Sequence, residues 1–350
     1  MAKKEYPLVG IDIGSHAVKM CEVKRAGKDG HELISVGTAA LSPGTVEDGV
    51  LQEPDDAAAA ISELRRNMNI KNHRVGLSIS GYSVIVKKVN IEMESEEALA
   101  KRLHEEAEQY IPFDVNEVYL DFQVIKRGKD ELERSEVMLV AAKKEVVDKY
   151  LDMLQGLKLL PVLVDVDGFA LENIWNEVAG SEKNVCLVDI GASKMNINII
   201  AGGTSVLAKD VGMGSDSLTQ AIADALGIEH EEAEKIKLGQ TQADQDSLDS
   251  LHDIFNRICT RWVLEIKKAV DQYGNNNPKR PLSTLVLSGG GSRVRGIKRY
   301  LAKETGLETV AFNPFEGMKV NTKKIDKEYL AAVAPQMSIA AGLAIRPAEF

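Results

Sequence analysis

The residues best suited to chemistry in this chain come as two matching clusters. Val9-Gly10-Ile11-Asp12-Ile13-Gly14-Ser15 recurs about half a chain later as Cys186-Leu187-Val188-Asp189-Ile190-Gly191-Ala192. Each copy ends an apolar, strand-like run in a carboxylate, a glycine and a small residue. A carboxylate and a glycine at one hairpin tip are ordinary turn chemistry; it is the duplication that singles them out. Small residues let the backbone approach phosphate oxygens and present N–H donors to them. Mg2+ keeps several waters and uses one or two protein carboxylates, which makes Asp12 and Asp189 candidate metal ligands through water. Gly14, Ser15, Gly191 and Ala192 are the matching phosphate cradle. Lys19, on the strand that follows Asp12, can reach terminal phosphates as a point charge.

A third cluster, Ser288-Gly289-Gly290-Gly291-Ser292-Arg293, follows the apolar run Leu285-Val286-Leu287 and precedes a helix expected from about Val294 to Thr305. Such a helix start offers free N–H groups, and the glycines and Ser292 allow close packing of a base or an α-phosphate. The Arg293 guanidinium can stack on adenine. The three clusters together suit ATP with Mg2+, held between two halves of the molecule.

The elements that position these clusters read as α/β. Short β-branched runs alternate with segments of helical period. Each duplicated cluster is followed by a second strand, Ala17 to Lys24 or Met195 to Ile200, so each forms a hairpin. Between the copies, Val84 to Ile91, Glu96 to Tyr110, Glu117 to Ile125, Ser135 to Ala142 and Lys144 to Leu157 read as strand, helix, strand, strand and helix. That is the order of a small α+β subdomain, after which Pro161 to Asp165 returns as a strand. Leu251, Ile254, Phe255, Ile258, Trp262, Ile266 and Ala269 form one long helical stripe.

Composition excludes several classes. The chain has 350 residues, 44% hydrophobic and 27% charged, enough for more than one core. Its net charge of -10 disfavours nucleic acid and anionic lipid. No apolar run approaches the length of a membrane-spanning helix, and Met1 to Tyr6 lacks the apolar region of a signal peptide, so a cytoplasmic location is expected. Cys21, Cys186 and Cys259 are scattered among apolar neighbours and read as buried hydrophobes. No G-x-x-x-x-G-K-[ST] occurs, neither glycine cluster completes G-x-G-x-x-G, and His104-Glu105 and His230-Glu231 lack the second histidine of a zinc site.

The set Asp12 to Ser15, Asp189 to Ala192 and Ser288 to Gly291 resembles the two phosphate motifs and the adenosine motif of the actin-like superfamily. Ser338-Ile339-Ala340-Ala341-Gly342-Leu343-Ala344 is similar to its second connecting helix, where small residues let helices cross closely. Gly212, Gly214 and Ser215 resemble the glycine turn that opens a helix near the phosphates. Glu234 and Lys237 resemble the pair that contacts ribose and adenine, and fit an i,i+3 surface pair equally well. Tyr110 to Phe122 and Val164 to Asn173 are similar to segments of the PilM family of type IV pilus assembly, and Asn313-Pro314-Phe315 extends the resemblance toward the end of the chain.

This resemblance implies a two-domain actin-like fold with an α+β subdomain inserted as in FtsA and PilM. The first domain would comprise 1–82 and 161–180, the inserted subdomain 83–160, the second domain 181–216 and 278–350, and a helical insertion 217–277. It implies an ATP-binding adaptor that captures the N-terminal cytoplasmic tail of a PilN-like inner-membrane protein, other pilus components being further candidate partners. The adaptor would sit peripherally at the membrane through that partner. Ile111, Pro112, Phe113, Val115 and Val118 could floor the tail groove or form the subdomain's own core. Asp167 resembles a water-positioning residue, compatible with slow hydrolysis. Two rivals share the fold: a small-molecule phosphotransferase using Asp165 or Asp167 as base, and an FtsA-like filament tether. The tether calls for a basic amphipathic C-terminal helix, and the sequence ends at Arg346-Pro347-Ala348-Glu349-Phe350.

Overall fold

The computed structural model describes residues 7–27, 30–92, 95–126 and 134–346. The expectations drawn from Met1 to Tyr6 and from Pro347 to Phe350 lie outside these residues. The first half contains β1 (Val9–Ile13), β2 (Ala17–Arg25), β3 (His31–Ala40), β4 (Val46–Glu47), β5 (Val50–Leu51), α1 (Pro54–Asn67) and β6 (Arg74–Ile79). There follow β7 (Val84–Ile91), α2 (Glu96–Glu106), β8 (Val118–Lys126), β9 (Ser135–Lys143), α3 (Lys144–Gly156), β10 (Leu160–Val166) and α4 (Asp167–Ala179). The second half contains β11 (Val185–Ile190), β12 (Met195–Ala201), β13 (Thr204–Val211), α5 (Asp216–Leu226), α6 (His230–Lys237), α7 (Leu248–Asn276) and β14 (Thr284–Ser288). The chain continues through α8 (Ile297–Thr305), β15 (Glu308–Ala311), β16 (Lys319–Val320), α9 (Lys327–Val333) and α10 (Ser338–Ala344).

Two sheets carry the duplication. One runs β10-β6-β1-β2-β3-β16 and the other β13-β12-β11-β14-β15. In each, the hairpin that bears the aspartate pairs antiparallel, and its first strand pairs parallel with a later strand, β6 or β14. Parallel strands with both faces covered read as continuous apolar runs, as β11 and β14 do. The hairpin registers match as well: Asp12 lies opposite Lys19, and Asp189 lies opposite Asn196.

Packing crosses two of the expected boundaries. Val146, Val147, Tyr150 and Leu154 of α3 enter the core of the first domain, which Ala142 of β9 also joins and against which Val84, Val86 and Val140 pack, so this helix lies between that core and the small sheet. The other face of the small sheet, β7-β9-β8, packs with α2 around Val89, Leu99, Leu103, Val137 and Leu139. At the C-terminal end, β16 adds to the edge of the first sheet and α10 packs on β1 and α4. A Cβ at Gly10 would lie 1.9 Å from the Ala340 carbonyl oxygen, and one at Gly342 would lie 1.8 Å from that of Ala170. Only glycine permits these crossings, which join the second half of the chain to the first domain.

The glycine cluster also differs from expectation. Gly290–Arg293 form a 3-10 turn, and the α-helix starts only at Ile297. Gly289 and Gly296 have positive φ, 81° and 85°, and these left-handed residues bracket the turn and delay the helix.

Candidate functional site

A cleft of about 360 Å³ opens between the two sheets, and both hairpin tips line it. The strand register fixes how each tip is built. Gly14 N–H donates to the Ala17 carbonyl at 3.1 Å, and Gly191 N–H donates to the Lys194 carbonyl at 2.8 Å. The glycine amides thus close the turns. The next amides, of Ser15 and Ala192, have no hydrogen-bond partner among the described residues, so they are the donors left for an anion. Behind the second tip, the Ser215 and Asp216 amides donate to the Gly191 and Ala192 carbonyls, both at 2.9 Å. This ties the start of α5 to the turn.

The charges in the cleft are arranged in pairs. Lys19 Nζ donates to Asp12 Oδ2 at 3.0 Å. Burial pushes the Asp12 carboxyl up, with Lys19 opposing. Burial also pushes Asp189 up, to about 6, against a hydrogen bond from Ser288. Asp167 is 5% exposed and accepts from Ser78 Oγ at 2.6 Å and from Lys194 Nζ at 2.7 Å. Burial alone would raise this carboxyl, but the Lys194 charge and the hydrogen bonds outweigh it and hold it below the usual range. Lys194 also donates to Ser80 Oγ. Desolvation works against its charge, yet Asp167 and Asp210 raise its pKa and keep it protonated. The Asp167–Lys194 pair spans the cleft, from the first domain to the second.

At the far end, Lys237 is buried and donates to Glu234 Oε2 at 2.6 Å and Thr219 Oγ1 at 2.8 Å. This removes the plain surface-pair reading, since the lysine is locked inside and both residues line the cleft. Gly289, Gly290 and Arg293 line it too, whereas Gly291 and Ser292 do not. A Cβ at Gly291 would lie 2.4 Å from Ile190 Cγ2, so this glycine serves packing. Ser292 Oγ donates back to the Gly289 carbonyl at 2.7 Å. Gly214 is likewise a packing residue, its Cβ position only 1.9 Å from the Ala192 carbonyl oxygen. Gly212 lies outside this cleft, against the Tyr82 hydroxyl in a smaller cavity behind it.

Comparison with known proteins decides the family. The sequence profile of the family described as Type IV pilus assembly protein PilM matches residues 10–348. The chain belongs to the PilM family. A solved PilM-PilN type IV pilus biogenesis complex aligns with a TM-score of 0.86 and 25% identity, covering 99% of this chain and 100% of that one. The ethanolamine utilization protein EutJ from Carboxydothermus hydrogenoformans aligns at 0.58 with 14% identity, over 98% of this chain and 92% of that one. MreB 5 of Spiroplasma citri bound to AMPPNP aligns at 0.53 with 12% identity, over 97% and 95%. The last two likenesses establish the actin-like fold.

Within this PilM-family fold, sequence reading missed Lys194, Ser78 and Ser80 although all three line the cleft. The available signal was the second hairpin itself: a lysine three residues past Gly191, where the first hairpin has Ala17. The five residues read as either groove floor or subdomain core divide between the two environments. Ile111 and Val118 are 4% exposed and belong to the subdomain core. Phe113 and Val115 are half-buried against that core, Pro112 is exposed, and Lys143 Nζ sits 5.2 Å from the centre of the Phe113 ring. Exposed apolar side chains occur on two other strands. Leu160 and Val164 on β10 are 52% and 39% exposed, and Tyr119 on β8 is 48% exposed. Burial pushes the Asp165 carboxyl on β10 up, and Asp121 on β8 adds to that. β10 is an edge strand, with backbone groups free to pair with an added chain.

Among the described residues, no helix is long and apolar enough to cross a membrane.

Proposed function

We propose that this chain is a nucleotide-binding adaptor of type IV pilus assembly that binds Mg-ATP in the cleft and the N-terminal tail of a PilN-like membrane protein in the groove between β10 and β8. The observation that carries the reading is the full-length likeness to the PilM-PilN complex. Ser15 and Ala192 amides would hold phosphate, Lys19 would contact its terminal oxygens, and Asp12 and Asp189 would bind Mg2+ through water. The donor set fits a hard cation, being carboxylates without thiol or imidazole. Glu234, Lys237, Gly289, Gly290 and Arg293 would surround the nucleoside. Mg2+ would neutralise phosphate charge when bound.

The alignment with a complex and the exposed apolar edge together support the tail groove. An extended tail adds backbone hydrogen bonds to β10 and sets alternate side chains on Leu160, Val164 and Tyr119, the pattern of β-strand addition. A PilN-like protein would then bring this acidic chain to the inner membrane, on its cytoplasmic face. The phosphotransferase alternative is disfavoured by Asp167, whose carboxylate is already engaged by Lys194 and Ser78. Slow hydrolysis at most is expected for the same reason.

Two measurements test this reading. Mg-ATP at about a hundred times its dissociation constant stabilises the fold by about 2.7 kcal/mol, read as a raised melting temperature; no shift at millimolar Mg-ATP overturns the nucleotide assignment. Val164→Asp places a charge in the groove at an exposed position. It is expected to abolish capture of a synthetic PilN N-terminal tail while leaving the Mg-ATP shift intact; unimpaired capture overturns the groove.

A further inference from the structure

A second cavity, of about 740 Å³, lies between α7 and α8 in the second domain, next to the nucleotide cleft, with Lys237 lining both. Its floor is apolar: Leu218 and Ile222 of α5, Ile236 of α6, and Leu251 and Phe255 of α7. Phe255 and Tyr300 meet edge to face, with ring centres 5.2 Å apart, where α7 and α8 are in contact. The rim carries the charge. Arg299 and Lys303 lie four residues apart on α8 and Arg295 just before it; all three are exposed, and His252 of α7 lines the same cavity. No aspartate or glutamate lines the cavity, although the chain as a whole carries a net charge of -10. Arg295 and Arg299 have no ion-pair partner among the described residues, and Lys303 reaches only Glu304, at 3.7 Å. Exposed cations without carboxylate partners beside an apolar trough are complementary to a partner with an apolar face and acidic flanks.

We infer that this trough is a docking site for an acidic amphipathic helix, a protein partner distinct from the membrane-protein tail. Residues three and four apart share one helix face. A helix with leucine-like side chains on one face would fill the trough, and glutamates flanking that face would pair with Arg295, Arg299 and Lys303. Arg295 N–H donates to the Lys237 carbonyl at 3.0 Å, so the segments 237–241 and 293–296 are tied together between this trough and the nucleotide cleft and supply lining residues to both. With the tail groove on the first domain, a second docking surface on the second domain would let one adaptor bridge two partners.

The test uses the full chain and a synthetic, fluorescently labelled helical peptide of about sixteen residues, with leucine at i, i+3, i+4 and i+7 and glutamate flanks. The controls are a lysine-flanked version and a sequence-scrambled version. Expected is saturable anisotropy binding of the glutamate peptide only, weakened roughly tenfold or more by Arg299→Glu with Lys303→Glu and weakened by added salt. Both substitutions are at exposed positions, and an unchanged melting temperature confirms the fold. Equal binding of the lysine-flanked or scrambled peptide, no binding at all, or insensitivity to the charge reversals overturns the inference. Displacement of the peptide by Mg-ATP also overturns it, because the trough would then be the base end of the nucleotide cleft.

Discussion

The two hairpins share a backbone and differ in where the lysine goes. In the first, Lys19 lies directly opposite Asp12 and pairs with it inside one hairpin. In the second, Asn196 takes that opposite position and donates to Asp210 at 2.9 Å, while Lys194 at the turn crosses to Asp167 of the other domain. The two turns share one backbone pattern, while the lysine pairs within its own hairpin in the first copy and across to the other sheet's domain in the second. Removing one member of a pair leaves the other uncompensated to the extent that it stays buried, and Asp167 is 5% exposed.

The largest expected effect breaks the second hairpin's contact. Lys194→Met leaves Asp167 buried without its cation, which costs about 3 kcal/mol of stability, read as a lower denaturant midpoint. Lys194→Met combined with Asp167→Asn recovers most of that loss; additive losses in the double variant would show that the pair is not coupled. The corresponding change in the first hairpin, Lys19→Met, acts mainly on ligand. Mg-ATP affinity is expected to fall roughly tenfold, about 1.4 kcal/mol, measured by titration calorimetry. The unliganded fold loses less than with Lys194→Met, because burial already pushes Asp12 upward and it can take a proton. Equal stability losses from the two lysine changes would erase the contrast between the hairpins.

The smallest effect lies at the back of the same interdomain contact. Glu172 on α4 accepts from the Ser205 amide at 2.6 Å, and burial raises its pKa despite that hydrogen bond. A raised carboxyl holds its proton more tightly in the folded state than in the unfolded one. Stability from this group is therefore present below its ordinary value near 4.5 and is lost as pH rises through the folded-state pKa. Glu172→Gln keeps an acceptor for Ser205 and removes the charge, so its melting temperature at neutral pH should rise slightly and the difference should vanish in acid. A difference that persists in acid would assign the effect to packing.

Much of this was legible in the sequence because it depends on local pattern. The aspartate-glycine hairpins, the strand-helix-strand-strand-helix order between them and the small residues of α10 all follow from runs, periods and residue size. The α7 stripe was legible too: Ile254, Trp262, Ile266 and Ala269 recur at helical spacing and are buried. Those features set the actin-like class and named the cleft from Asp12, Lys19, Asp189, Gly289 and Arg293.

Tertiary structure alone decided which side chain meets which across the cleft. Lys194 reads as a turn lysine until the second domain folds over Asp167, since nothing in local spacing relates residues of different sheets. Pattern likewise could not tell that Ile111 is core while Leu160 and Val164 are open. An apolar residue carries the same signal whether its face finds a partner layer or not, and only the placement of β10 at a sheet edge leaves that face uncovered. The same holds for the three glycines after Ser288: all have the same side chain, but Gly291 is filled against Ile190 and Gly290 faces the cleft. The sequence determined the elements and their chemistry, because periodicity and turn residues act within a few bonds. The structure determined the pairings, because burial and Coulomb contact depend on distance in space.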